Sequence, residues 1–195
     1  MKKRLLALLI VVISKSLIAD NYDLFSGISY GQTKHVFSVD GKDYSDDYKD
    51  DLILKLGLVN DEGRIYTQFD YHQIDDLTKY TLMLNMDTFT EPIYFNYKKL
   101  YLSYGAQIGL IKADYDDTYA TKNMSEIGLA YGLQCSTILE LTEKMQLELG
   151  VSSVWSQVKF NNVEYKNSYK SSYNKIDELK FYNAKSWFVG VNYRF

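Results

Sequence analysis

Three residue types are scarce in this 195-residue chain, and each scarcity removes a class of protein. A single cysteine, Cys135, excludes an internal disulfide framework, a four-cysteine zinc site and a redox Cys-x-x-Cys pair. Two histidines, His35 and His72, are too few for His-rich metal chemistry. The only proline is Pro92, so long stretches are free to pair as strands, where proline removes a ladder hydrogen bond. With 24% charged and 46% hydrophobic residues the chain is not disordered. What it has in excess is tyrosine, 19 in all.

The N-terminus differs from the rest. Lys2, Lys3 and Arg4 precede an apolar stretch from Leu5 to Ile13, and the segment closes on Ser16-Leu17-Ile18-Ala19. These are the three parts of a secretory signal peptide, expected over 1–19 with cleavage after Ala19, and the mature domain over 20–195. Nine apolar residues are too few to span a bilayer as a helix, which takes about 20. Asp20 follows, where a lipoprotein would carry cysteine. Cleavage takes away Lys2, Lys3, Arg4 and Lys15 and no acid, so the acidic side chains outnumber the cations and nucleic acid is not an expected partner.

Beyond residue 20 the chain alternates. Residues 52–59 read Leu-Ile-Leu-Lys-Leu-Gly-Leu-Val, and 145–152 read Met-Gln-Leu-Glu-Leu-Gly-Val-Ser. A period of two places alternate side chains on opposite faces of a strand. Eight such segments occur, at about 22–37, 50–60, 63–73, 78–88, 98–113, 122–138, 144–158 and 181–195. Each has the roughly 9–11 residues with which a tilted strand crosses a bilayer. Tight or moderately short connections (60–63, 88–97, 141–143) alternate with others that are mostly longer and more polar (39–49, 74–77, 114–121, 159–180), as in transmembrane barrels.

One face of these strands carries Leu52, Leu54, Leu56, Leu129, Leu133, Leu147, Leu149 and Val151, with no charge among them; Cys135 falls on it as a small apolar residue. The other carries nine of the eleven glycines, together with Asp23, Lys55, Asp70, Asp87, Glu126, Glu148 and Arg194. An eight-stranded barrel has an interior that side chains just fill, so the glycine-rich polar face is expected inside and the apolar face in lipid. The fold class is therefore all-β: an eight-stranded antiparallel up-and-down transmembrane β-barrel. Tyr22, Tyr193 and Phe195 fall at one rim, and Tyr30, Tyr71, Tyr80 and Trp187 near the other, as interfacial girdles. The competing architecture is a soluble lipocalin-like ligand binder, with the apolar face inside.

The last strand, Trp187-Phe188-Val189-Gly190-Val191-Asn192-Tyr193-Arg194-Phe195, resembles the C-terminal insertion signal of bacterial outer-membrane barrels, its alternate residues Trp187, Val189, Val191 and Tyr193 leading to a terminal Phe195. Leu100–Gly109 is similar to the glycine-punctuated fifth strand of small barrels of the outer-membrane protein A and X kind. The resemblance implies an outer-membrane location, contact with outer-membrane lipid and lipopolysaccharide, insertion by the barrel assembly machinery, periplasmic chaperones on the way, and a monomer without cofactor.

The chemistry expected is sparse. Asp23, Lys55, Asp70, Glu148 and Arg194 are expected to form one ion-pair network that fills the lumen. No metal site is expected: the acidic connection with Asp40, Asp43, Asp46, Asp47, Asp50 and Asp51 lacks the order of an EF-hand and reads as a solvated loop. Some small barrels modify lipid A with a His, Ser and acid at the rim. His35 and His72 stand in no His-x-Ser arrangement and read as surface residues, so no catalytic residue is assigned and the lipid-modifying enzyme stays the alternative. The last connection interleaves Lys166, Tyr169, Lys170, Tyr173 and Lys175, a composition suited to anionic saccharide or a host surface. The expected role is structural, with adhesion or lipopolysaccharide contact through the outer loops.

Overall fold

A computed structural model describes residues 22–74, 77–95, 97–116, 123–164 and 175–195. The expected signal peptide, 1–19, lies outside them. The strands are β1 (Asp23–Val39), β2 (Lys42–Ser45), β3 (Lys49–Val59), β4 (Gly63–Ile74), β5 (Leu77–Phe89), β6 (Ile93–Phe95), β7 (Lys98–Tyr115), β8 (Met124–Glu140), β9 (Met145–Glu164) and β10 (Lys175–Arg194). Eight are long and pair in the order β10-β9-β8-β7-β5-β4-β3-β1. Pairing of β1 with β10, from Phe25↔Arg194 to Val39↔Leu179, closes the sheet. The protein is an antiparallel up-and-down transmembrane β-barrel.

Local chemistry sets the turns. At the end of the barrel that holds both chain ends of the described structure, the Asn60 side chain accepts from the backbone N–H of Glu62 (3.0 Å) and Gly63 (2.9 Å), an Asx-turn joining β3 to β4. Thr142 Oγ1 accepts from the Met145 N–H at 3.0 Å between β8 and β9. At the opposite, distal end Asp40 (φ 48°) and Gly41 (φ 78°) both take the left-handed conformation that a two-residue hairpin requires. They fold β2 back onto β1, so the connection expected at 39–49 contains a strand.

Outside the barrel, Leu24, Ile28, Leu54, Leu56, Leu82, Ile108, Leu129 and Leu149 stand exposed; Leu56 and Leu129 are each 58% accessible. These side chains form a belt that is favourable only in hydrocarbon. Tyr71 and Tyr80 meet at its distal edge with ring centroids 5.5 Å apart, and Tyr193 and Phe195 at the other with centroids 5.1 Å apart. Inside, glycine makes room for bulky neighbours: a Cβ at Gly150 would collide with the Phe188 ring, and one at Gly57 with Tyr66.

The sequence placed β9 and β10 short. β9 runs to Glu164 and β10 starts at Lys175, so much of the connection expected at 159–180 is paired strand. The alternation slips in both strands, at Asn162 (φ 56°) and at the register shift between Phe181 and Asn183. A bulge inverts the face of every later residue, which hides a strand from a period-two reading.

Candidate functional site in the lumen

The inward residues stack in layers from the chain-terminus end. Phe25, Val59 and Tyr66 are buried together, with Phe89 packed against them. Above them lies an ion cluster assembled from β3, β4, β5, β8, β9 and β10. Glu148 has no solvent exposure. Its carboxylate accepts from Lys55 Nζ at 2.9 Å, from Arg64 Nη2 at 2.5 Å and Nη1 at 3.1 Å, and from Asn192 Nδ2 at 2.9 Å. Arg64 Nε donates to Asp87 at 2.7 Å, and Asp87 also accepts from Gln134 Nε2 at 2.5 Å and from the Tyr66 hydroxyl at 3.3 Å. The Arg64 guanidinium lies 4.8 Å from the Tyr66 ring centroid, and Lys55 Nζ lies 4.3 Å from that of Phe188. Two cations meet two carboxylates, so the cluster is neutral as a unit, and removing any member would leave a buried charge uncompensated.

The five residues expected in one network occupy three places. Lys55 and Glu148 are in contact. Asp70 faces a second cluster nearer the distal end and accepts from Gln68 Nε2 at 3.1 Å. Arg194 and Asp23 pair at 2.8 Å at the chain-terminus rim, where Asp23 is exposed and Asp61 lies 3.6 Å from Arg194. Their strands end there, so they share the inward phase without sharing the interior. Arg64 and Asp87 complete the cluster. Asp87 is on the polar face in the sequence, and Arg64 has the same strand parity as Tyr66 and Asp70, which is the sequence signal that it faces inward.

The second cluster surrounds a cavity of about 30 Å³, room for one water, lined by Thr33, His35, Asp51, Asp70, His72 and Lys79 among others. Both histidines are buried, contrary to the surface position expected for them, because β1 and β4 continue inward-phased past the belt. Their ring centroids are 4.5 Å apart. Lys79 Nζ contacts His35 Nε2, and Asp46 accepts from the His35 backbone N–H at 2.5 Å and faces His35 Nδ1 at 3.2 Å. Burial raises the Asp46 carboxyl pKa, but the bonds from His35 outweigh it and hold the group below the ordinary carboxylate range. Asp51 accepts from Thr33 Oγ1 at 2.9 Å, Asp50 accepts from the Tyr30 hydroxyl at 2.6 Å, and Asp40 from the Glu178 N–H at 2.9 Å. The acidic connection is thus bonded to the barrel wall where a solvated loop was expected, since aspartates beside strand edges find hydroxyl and N–H donors. Among the described residues no group of three or more His, Cys, Asp or Glu is arranged to hold a metal ion.

The distal layer is apolar. Val158, Phe160, Val163, Leu179 and Phe181 pack with Ile111, Ala113 and Leu77, and the Phe160 and Phe181 rings meet edge to face at 6.4 Å. Of the residues in the last connection, Lys166, Tyr169, Lys170 and Tyr173 lie outside the described structure, and Lys175 opens β10 opposite Glu164. Trp187, Val189, Val191 and Tyr193 face outward in the closing strand, and the Phe195 N–H donates to the Leu24 carbonyl at 2.9 Å.

No family model matches the sequence, and no curated protein matches it. Solved structures do. Neisserial surface protein A superposes with a TM-score of 0.58 at 12% identity, over 90% of this chain and 100% of that one. Outer membrane protein H from Pseudomonas aeruginosa gives 0.55 at 21% identity, over 89% and 99%. Outer membrane protein OprG from the same organism gives 0.50 at 12%, over 90% and 96%. The layered lumen and the lipid-facing belt are therefore built on the fold of the small eight-stranded outer-membrane barrels.

Proposed function

We propose that the chain is an integral protein of a bacterial outer membrane, exported by its first 19 residues, with a structural and surface-contact role. The lumen is closed by the Lys55–Arg64–Asp87–Glu148 cluster, and the distal end projects outward to meet lipopolysaccharide or an opposing surface. One observation carries this reading. Charged groups from four strands, β3, β4, β5 and β9, meet inside the barrel with their charges balanced and their hydrogen bonds directed at one another, while apolar and aromatic side chains dominate the outer belt. Such a plug supports the membrane span and leaves no continuous water path. The barrel assembly machinery would read Trp187 to Phe195, with periplasmic chaperones carrying the unfolded chain to it.

The lipid-modifying alternative is not favoured, because His35 and His72 point at Lys79, Asp46 and each other inside the barrel and do not face bilayer lipid. Fractionation with a heat-modifiable gel shift tests the location: the folded protein is expected in the outer-membrane fraction, migrating differently before and after boiling. Planar-bilayer recording tests the plug. No stable channel is expected, and sustained conductance by the wild type would overturn the closed lumen. Deleting residues 165–174 tests the distal contact: lost adhesion or lipopolysaccharide binding is expected, and unchanged binding would refute that role for this connection.

A further inference from the structure

The outer wall has a polar anomaly at the distal edge of the belt. Lys34 on β1 and Lys185 on β10 are direct cross-strand partners, both facing outward. Side chains so paired stand about 5 Å apart at Cβ, and like charges there repel. Two other outward lysines of the distal wall do have carboxylates: Lys112 lies 2.5 Å from Asp114, and Lys159, which opposes Lys180 across β9 and β10, lies 2.5 Å from Glu178. Among the described residues no carboxylate lies within ion-pair distance of Lys34 or Lys185. Lys34 is instead 6.0 Å from the Tyr48 ring centroid.

Beside this pair a groove of about 450 Å³ runs down the lipid-facing wall. Tyr48 and Lys185 border it, and Leu133, Val151, Ser153 and Trp187 line it. Its origin is in the sequence: Ser153 breaks the apolar phase of β9 between Val151 and Trp155, and in register with Leu133 and Lys185 it leaves a dent in the belt. The groove is apolar toward the belt and cationic at its distal lip, which is the polarity of a lipid whose acyl chain lies along the barrel and whose phosphate sits at the interface.

We propose that Lys34 and Lys185 clamp the phosphate of a phosphorylated, multiply acylated glucosamine lipid of the outer leaflet, one acyl chain of which fills the Leu133–Val151–Trp187 groove. The leaflet assignment rests on the orientation proposed above. An anion between the two ammonium groups turns their repulsion into a chelate. The Tyr48 ring closes the site from the β3 side.

The test is native mass spectrometry of the full chain released from detergent micelles. It is run with the diphosphorylated glucosamine lipid, with the same lipid after phosphatase treatment, and with phosphatidylglycerol. Wild type, K34Q/K185Q and the control K112Q/K159Q are compared, each first shown to be folded by its heat-modifiable gel shift. Wild type and the control are expected to retain the diphosphorylated lipid about tenfold better than its dephosphorylated form, the size of one charge-assisted contact, and K34Q/K185Q to lose that preference. Equal retention of the two glycolipids by wild type, an unchanged preference in K34Q/K185Q, or equal retention of phosphatidylglycerol by wild type would overturn the proposal. Absence of the wild-type gel shift would instead count against the membrane barrel itself, so the two failures are separable.

Discussion

Along β9 as far as Phe160 the inward side chains reverse their character while keeping their parity. From the chain-terminus end they run Gln146, Glu148, Gly150 and Ser152, then Val154, and reach Val158 and Phe160. The outward side chains of the same strand reverse in the opposite sense, from Met145, Leu147, Leu149 and Val151 to Gln157, Lys159 and Asn161. Within the belt the protein is polar inside and apolar outside; beyond it the wall has the ordinary arrangement of a water-soluble barrel. What changes is the solvent around the wall. In lipid the outer face supplies no hydrophobic driving force, so cohesion comes from buried hydrogen bonds and ion pairs. In water an apolar interior drives assembly again. The five longest strands, β1, β7, β8, β9 and β10, are neighbours around the barrel, so this second regime stands on one side of the wall.

The two regimes predict different sensitivities. Glu148→Ala should be the most damaging change, because it strands Lys55 and Arg64 as buried cations; a loss of about 3–5 kcal/mol is expected in urea unfolding from lipid vesicles. Phe160→Ala should cost about 3 kcal/mol, through a cavity beside Phe181 and Tyr115. Because that loss is confined to the distal layer, hydrogen exchange should rise there and stay unchanged around Glu148. Leu129→Arg, in the belt, should cost about 2–3 kcal/mol by the same unfolding assay. Asp46→Asn should cost about 1 kcal/mol at neutral pH by weakening the tie to His35. Because the folded Asp46 pKa is depressed, its contribution is present above the ordinary carboxylate pKa and fades as pH falls through the lowered value, so variant and wild type should converge in acid. Gln157→Arg, on the outward face of the same wall but in water, should change stability by less than about 0.5 kcal/mol. Equal effects of Leu129→Arg and Gln157→Arg would erase the distinction between the two regions.

Strand parity made most of this barrel legible in the sequence. It separated the faces, put the glycines inside, and located each of the eight long strands to within a few residues near the chain-terminus end. It failed where the register shifts, in β9 beyond Val158 and in β10 before Phe181, because a bulge moves apolar residues such as Val163 and Leu179 onto the opposite parity and disguises them as loop. The site was less legible. Parity says that Lys55, Asp70 and Glu148 face inward, but which of them meet depends on the stagger between strands across the barrel, a property of closure and not of any one segment. Arg64 was readable by parity alone. The partnership of Asp46 with His35 was not, since it depends on the β1–β2 hairpin turning back at Asp40-Gly41.

Spin-label accessibility along the outward positions of β9 tests the two-regime account most directly. Nitroxides would be placed one at a time at 147, 149, 151, 157, 159 and 161, in a Cys135→Ser background folded into lipid vesicles. Collision with oxygen should dominate at 147–151, collision with a water-soluble relaxation agent at 157–161, and the crossover should fall near Ser153 and Trp155. Equal access of the water-soluble agent to 149 and 159 would contradict it.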